Sequence, residues 1–296
     1  MPFQSYSESR VALIDSYIQK SLDSCRRQVS QRFGRLIDAM DYSLDGGGKR
    51  LRPLLVIATA ECLGLRADQV LPAACAMEFI HTYSLVHDDL PALDDDDTRR
   101  GKPSSHKEFG EAVAILTGDA LLTEAFNQIT QLSKSGPFRP EQVVAAIGTL
   151  AHYAGVPGMV GGQLLDVTAD TESLNLPEVE FIHIHKTGAL ILCSVLLATH
   201  LAECPPDRLQ RLRRFGEALG LGFQISDDIL DSEAQFRYSR GPRKKPKPSY
   251  AQVMSPSEMK EKLNRLMDTA VECLLSEGDK GKALAGIAEF VRTRRR

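Results

Sequence analysis

The stretch Met77-Glu78-Phe79-Ile80-His81-Thr82-Tyr83-Ser84-Leu85-Val86 is mostly apolar, and it runs directly into His87-Asp88-Asp89-Leu90-Pro91-Ala92-Leu93-Asp94-Asp95-Asp96-Asp97-Thr98-Arg99-Arg100-Gly101. The first part reads as a buried helix; the second crowds six carboxylates and two arginines onto its end. Carboxylates this dense repel one another unless something cationic sits among them, and oxygen-only ligands suit Mg2+ holding the phosphates of a substrate. In an unbroken helix Asp88 and Asp94 would lie on different faces. Pro91 disfavours helix at the residue before it, so the helix is expected to end near Leu90, and the turn can bring both aspartates to one ion.

A second cluster, Asp227-Asp228-Ile229-Leu230-Asp231, follows Phe223-Gln224-Ile225-Ser226 in another strongly periodic segment. Residues 227 and 231, and 228 and 231, share a helix face there. Either cluster alone reads more readily as a solvated charge run. Two of them, each joined to an apolar helix, read as two walls of one site for magnesium-assisted diphosphate chemistry.

Outward from these clusters, apolar residues recur at spacings of three and four, and alternating runs rich in β-branched residues are missing. The expected fold class is all-α. Helices are expected over about residues 9–29, 31–44, 50–64, 69–89, 111–132, 139–154, 178–200, 207–232, 256–276 and 281–292, with ends uncertain by 2–4 residues. Pro53 suits a first helical turn, Asp68 can cap the run after it, and Pro205-Pro206 separates two helices. Ser133 to Pro140 and the basic, proline-rich Arg237 to Ser249 read as irregular. The second is either a lid that swings over a bound anion or an exposed linker. No linker divides the chain, so residues 1–296 are expected to form one domain.

Composition narrows the function classes. Of 296 residues, 43% are hydrophobic and 25% charged, and the formal charge of −3 argues against general nucleic-acid binding. Cys25, Cys62, Cys75, Cys193, Cys204 and Cys273 show no CxxC spacing, which favours buried reduced thiols over disulfides or zinc. The polar N-terminus lacks a secretory-signal pattern, so a cytoplasmic protein is expected. The longest apolar run, Ala189 to Ala198, falls well short of the roughly 20 residues that span a bilayer. The basic Arg292-Thr293-Arg294-Arg295-Arg296 reads as a solvated tail, with a membrane-surface role left open.

Gly46-Gly47-Gly48-Lys49-Arg50-Leu51-Arg52-Pro53 invites a P-loop reading that fails: Ser43 stands where the motif needs Gly, Arg50 replaces its Ser/Thr, and no strand is expected before it. What remains is a loop feeding a helix whose start carries Lys49 and Arg52, suited to gripping a diphosphate.

The motif order closely resembles the trans-isoprenyl diphosphate synthases, in particular their bacterial farnesyl diphosphate synthase branch. The matching residues are Gly47 to Pro53, the aspartates of 88–94 with Arg99-Arg100-Gly101, Gly118-Asp119-Ala120-Leu121, Gly161-Gly162-Gln163-Leu164-Leu165-Asp166, Lys186-Thr187-Gly188, and Phe223-Gln224 through Asp231. The resemblance implies an antiparallel isoprenoid-synthase-type helix bundle around a deep central cavity, a homodimer, and a Mg2+-dependent prenyltransferase that condenses isopentenyl diphosphate with dimethylallyl or geranyl diphosphate to farnesyl diphosphate. It implies Lys49, Arg52, His81 and Arg100 on the isopentenyl diphosphate, and Arg99, Lys186 and Lys247 on the allylic diphosphate. Asp88, Asp94 and Asp227 would ligate Mg2+, with Asp89, Asp228 and Asp231 as helpers, while Lys186, Thr187 and Gln224 would lie near the allylic cation. Read without the resemblance, Thr187 and Gln224 are ordinary helix residues and His81 a core histidine.

Tyr83 and Ser84 lie about one helical turn before Asp88, where a hydrocarbon tail anchored at the aspartates must pass. Tyr83 is read as the floor that sets product length, against the plainer reading of a core aromatic. The chain departs from the family after Asp231: the expected Gly-Lys-x-x-Gly-x-Asp element is absent, Lys247-Pro248-Ser249-Tyr250 keeps the Lys and Tyr, and Arg243, Lys244 and Lys245 stand at unmatched positions. Alternatives are a geranyl or geranylgeranyl diphosphate synthase, or a non-catalytic prenyl-diphosphate-binding subunit.

Overall fold

The apolar spacing of three and four resolves into helices almost throughout. The structure is a computed structural model that describes residues 3–45, 48–171, 173–238 and 247–294. In chain order the helices are α1 (Phe3–Gln28), α2 (Gly34–Leu44), α3 (Leu51–Cys62), α4 (Ala67–Asp88), α5 (Ser105–Phe109), α6 (Glu111–Ser135), α7 (Pro140–Ala154), α8 (Met159–Thr168), α9 (Leu176–His183), α10 (Ala189–Leu201), α11 (Pro206–Tyr238), α12 (Pro256–Glu272) and α13 (Lys282–Thr293). Two short strands, β1 (Thr98–Arg99) and β2 (Lys102–Pro103), pair antiparallel. The all-α expectation therefore holds for the described residues.

Contacts divide the chain into two compact units, Met1–Ile57 with Arg66–Ile147, and Ala58–Leu65 with Gly148–Arg296. In the first unit α4 lies along α6, with α1 and α2 also packed on it. Residues 72–80 of α4 are buried on every side, as an all-round apolar helix demands. In the second unit α10 is buried from Ala189 to Thr199 and packs on α11, which is flanked by α12 and α13.

The stretches Pro140–Thr168 and Leu176–Leu201 are each long and apolar enough to cross a membrane. The first is interrupted by a turn at residues 155–158. The second is 72% buried within the protein, which makes its apolarity that of a core helix.

Several local features escape the spacing argument. Helix α5 is only five residues long, and the β1–β2 hairpin has two-residue strands. Asp68 lies inside the first turn of α4, paired with Arg66 at 2.7 Å, instead of at its cap. Helix α8 begins with Met159-Val160-Gly161-Gly162, and glycine weakens a helix by about 1 kcal/mol relative to Ala. The reason is a close approach: a Cβ on Gly162 would sit 2.1 Å from the backbone N of Lys186. Between α9 and α10, where spacing predicts a continuous helix, residues Ile184–Gly188 form a π-helical turn. Helix α6 also extends through Ser135, into the segment that reads as irregular after Ser133. All six cysteines are free, four of them buried.

Candidate active site

In the first unit the site is built around the end of α4. The helix stops at Asp88, and the N–H of Asp89 still reaches Leu85 O at 3.1 Å. Pro91 then lets the chain double back, so that Asp94 N donates to Asp88 O at 2.8 Å and Asp95 N to Leu90 O at 3.1 Å. That backbone bond brings Asp88 and Asp94 together, as the proline predicts. Behind them His87 Nε2 lies 3.0 Å from Ile115 O, and a Cβ at residue 118 would fall 2.0 Å from that nitrogen, which explains the glycine of Gly118-Asp119.

Asp89 is 2% exposed and turns away from its neighbours to Arg99, whose Nε donates to Oδ1 at 3.0 Å. Burial raises the Asp89 pKa above the ordinary carboxylate value, and Arg99 opposes that rise. Arg100 and Gly101 form the two-residue turn of the hairpin, with φ of +53° and +80°. A left-handed arginine is costly, and the fold holds it so that the guanidinium lies over Gly48, where an added Cβ would come within 2.9 Å of it.

Arg52 is buried, Lys49 is exposed, and His81 is partly buried. His81 has its pKa pushed well below the usual histidine value, first by burial and then by the charges of Arg52, Arg100, Arg99 and Arg50. Burial and the charge of four guanidinium groups thus act together to disfavour the imidazolium. Arg50, which carries no role in the sequence reading, is the structural member: it donates to Asp15 at 2.9 Å, to buried Glu78 at 2.7 Å and to Leu44 O at 2.7 Å. Tyr83 is buried and meets His87 edge-on at 5.8 Å. Burial and the nearby Asp88 carry its pKa up to about 12. The Ser84 hydroxyl donates to His81 O at 2.8 Å.

In the second unit Lys186, Thr187 and Gly188 lie in the π-helical turn, a local irregularity that often marks functional positions. Lys186 Nζ is 2.5 Å from buried Asp166 on α8, which accounts for the aspartate of the Gly161–Asp166 motif. Thr187 Oγ1 donates to Gln224 Oε1 at 2.8 Å, and Gln224 Nε2 to Asp228 Oδ1 at 2.9 Å. Asp228 also accepts from Ser249 Oγ at 2.9 Å and from Tyr250 N at 2.6 Å, so this carboxylate serves as an anchor for residues 249–250. Burial raises its pKa, and those donors oppose the rise.

Asp227, on the same helix, presents a side chain 42% exposed and pairs with Arg294 at 2.7 Å. Arg294 also donates to Ser226 Oγ at 2.8 Å and Phe223 O at 2.7 Å, with its guanidinium 4.0 Å from the Phe223 ring. His183 carries no signal in the sequence: buried against Tyr250 at 5.1 Å and 3.7 Å from Asp228, it has its pKa lowered to about 4 by burial. Lys247 is partly buried. Residues 239–246, with Arg243, Lys244 and Lys245, and likewise Gly46, Gly47, Arg295 and Arg296, lie outside the described residues.

The acidic turn of the first unit, with Arg99 on Asp89, and the acidic helix face of the second, with Arg294 on Asp227, each carry the groups that suit multivalent anions and hard cations. Residues 34–241 match the polyprenyl synthetase family model. The chain is 44% identical over 264 residues to a farnesyl diphosphate synthase of Geobacillus stearothermophilus, covering 88% of this chain and 89% of that one. It is 40% identical over 300 residues to the chloroplastic heterodimeric geranylgeranyl pyrophosphate synthase large subunit 1 of Arabidopsis thaliana, covering 98% of this chain and 78% of that one. Its fold matches the crystal structure of an FPP/GFPP synthase from Zymomonas mobilis with a TM-score of 0.87 at 33% identity, over 98% of this chain and 99% of that one. The helical fold is that of the isoprenoid synthases, and the chain belongs to the polyprenyl synthetase family.

Proposed function

We propose that the chain is a cytoplasmic, homodimeric prenyltransferase that joins isopentenyl diphosphate to dimethylallyl or geranyl diphosphate and releases farnesyl diphosphate. The observation that carries this reading is the Asp88–Asp94 turn, closed by the Asp94 N to Asp88 O bond and flanked by Arg99 on Asp89. Since the family match spans residues 34–241, with parts of both compact units, the whole chain is proposed to act as one catalytic domain.

The donor set fits Mg2+. Asp88 and Asp94 are joined through their backbones, and Asp227 is half exposed, whereas Asp89 and Asp228 are buried on protein donors. Asp88, Asp94 and Asp227 are therefore the proposed ligands, and Mg2+ when bound neutralises the diphosphate that leaves the allylic carbon. Lys49, Arg52, His81 and Arg100 grip the isopentenyl diphosphate, His81 as a neutral donor among cations. Arg99, Lys186 and Lys247 hold the allylic diphosphate. Lys186 is kept in place by Asp166, and the Thr187–Gln224–Asp228 chain fixes the amide and hydroxyl dipoles near the developing cation. No protein nucleophile is needed, because the isopentenyl double bond attacks the cation and the released diphosphate can take the proton.

The test is direct. With Mg2+, geranyl and isopentenyl diphosphates are expected to give the fifteen-carbon product, and EDTA to abolish turnover. The Arabidopsis relative's name favours a second reading, a twenty-carbon product; product chromatography decides between them. Product length also checks the proposed floor. Tyr83→Ala opens space under a buried ring, and products longer than fifteen carbons are expected; an unchanged distribution would discard Tyr83 as the length gauge.

Asp227 supplies a further prediction. A guanidinium at 2.7 Å and a divalent cation are competing partners for one carboxylate. Arg294→Met is expected to tighten Mn2+ binding in the presence of pyrophosphate by about tenfold, roughly 1.4 kcal/mol. Mn2+ titration followed by EPR measures it, and equal affinity would show that Arg294 offers the metal no resistance.

A further inference from the structure

Asp95 and Asp97 follow the proposed Mg2+ ligands, and nothing in the prenyl-transfer reading uses them. One carboxylate oxygen of each lies within 4.8 Å of a ring nitrogen of His106 and of the other. His106, on α5, is 6% exposed. Its Nδ1 lies 3.0 Å from Ser104 Oγ, while its Nε2 is buried with no hydrogen-bond partner among the described residues. A buried polar atom left unsatisfied costs about 1–3 kcal/mol, so a site that retains one asks for an ion or a water.

The surroundings are arranged as a ligand shell. Ser104 orients the ring through its Oγ, and its backbone N–H donates to Asp97 O at 3.0 Å, tying both ligands to one residue. Asp95 is held at φ +53°, a conformation a non-glycine residue adopts at a cost, with its N–H on Leu90 O. Lys107 Nζ, 2.9 Å from Asp97 Oδ1, supplies positive charge at the rim.

We propose that Asp95, Asp97 and His106 bind a second divalent cation, separate from the Mg2+ ions of catalysis, which fastens the acidic turn after α4 to the start of α5. One imidazole and two carboxylates form a mixed nitrogen and oxygen set, which selects Mn2+ or Zn2+ over Mg2+. Three protein ligands leave room for water, as expected at a partly exposed site. A metal here competes with Lys107 for Asp97, so loss of that ammonium strengthens the site.

The probe is Mn2+ titrated into the metal-stripped full chain without any diphosphate. Wild type is expected to bind one ion whose pulsed EPR spectrum carries coupling to an imidazole nitrogen. His106→Gln is expected to lose that coupling. Asp97→Asn, at an exposed position that leaves the core untouched, is expected to weaken binding at least tenfold, Lys107→Met to strengthen it, and Asp88→Asn to leave it unchanged. Absence of nitrogen coupling in wild type, wild-type affinity in Asp97→Asn, or loss of the ion in Asp88→Asn would each overturn the proposal.

Discussion

Asp88→Asn and Asp227→Asn are each expected to lower kcat roughly 100- to 1000-fold, about 3–4 kcal/mol, the magnitude that one preorganised electrostatic interaction with a transition state typically supplies. An amide keeps the volume of the carboxylate but contributes no charge to a hard cation. Asp88 is half-buried at a helix end, and Asp227 is 42% exposed, but the Arg294 side chain that it pairs with is 3% exposed. Thermal unfolding of Asp88→Asn should accordingly stay close to that of wild type, while Asp227→Asn weakens the partner of a buried guanidinium and is expected to unfold somewhat earlier. Asp228→Asn is expected to behave differently. Its carboxylate accepts from Gln224 Nε2, Ser249 Oγ and Tyr250 N, and an amide would present a donor to at least one of them. Loss of a buried hydrogen-bond acceptor costs about 1–3 kcal/mol, so this variant is expected to unfold earlier. Steady-state kinetics beside melting curves separate ligand from anchor. Full activity in Asp227→Asn would remove that residue from the metal site.

This contrast marks what can be read from the residues and what cannot. Pro91 is a local breaker with a local consequence, and the Asp94 N to Asp88 O bond is the outcome its chemistry foretells. Helix periodicity places Asp227, Asp228 and Asp231 on neighbouring faces, but periodicity says nothing of what approaches from elsewhere. Asp228 groups with the metal residues in sequence because its type and spacing match those of Asp227. Its partners Ser249 and Tyr250 lie 21 and 22 residues away, and their contribution becomes visible only with folding. The same holds for Arg294, which meets Asp227 from the far end of the chain. The glycines at 161–162 are a sharper case. As a local signal they speak against a helix, yet α8 forms because its packing partner, the turn at Lys186, leaves no room for a side chain at Gly162. Short elements such as α5 and the hairpin carry too few residues for any period to register, which is why neither His106 nor the conformation of Arg100 stands out in the sequence. Asp95 and Asp97 read only as part of a solvated charge run for the same reason: the histidine grouped with them sits on an element no spacing predicts.

Arg50→Met is expected to cost about 3–5 kcal/mol of stability, because it leaves Glu78 charged and buried without its partner. Arg50 has 6% of its side chain exposed and Glu78 has 2%, while Asp15, the third member, is 48% exposed and can return to water. The same substitution strips Leu44 O of its donor at the end of α2. Much of the penalty belongs to the stranded charge and not to the strength of the pair, so removing both charges should recover a large part of it. Arg50→Met combined with Glu78→Leu is therefore expected to unfold at a urea concentration between those of wild type and the single variant. Arg50 also adds to the charge that keeps His81 neutral, although burial is the larger cause. The double variant should thus regain stability without regaining the full positive field around His81, and its affinity for isopentenyl diphosphate should remain below wild type. Urea unfolding and substrate KM measured on the same three proteins test the two halves separately. A single variant as stable as wild type would show that the Arg50–Glu78 pair is not what holds α4 to the loop before α3, and a double variant no better than the single would show that the stranded carboxylate is not the source of the loss.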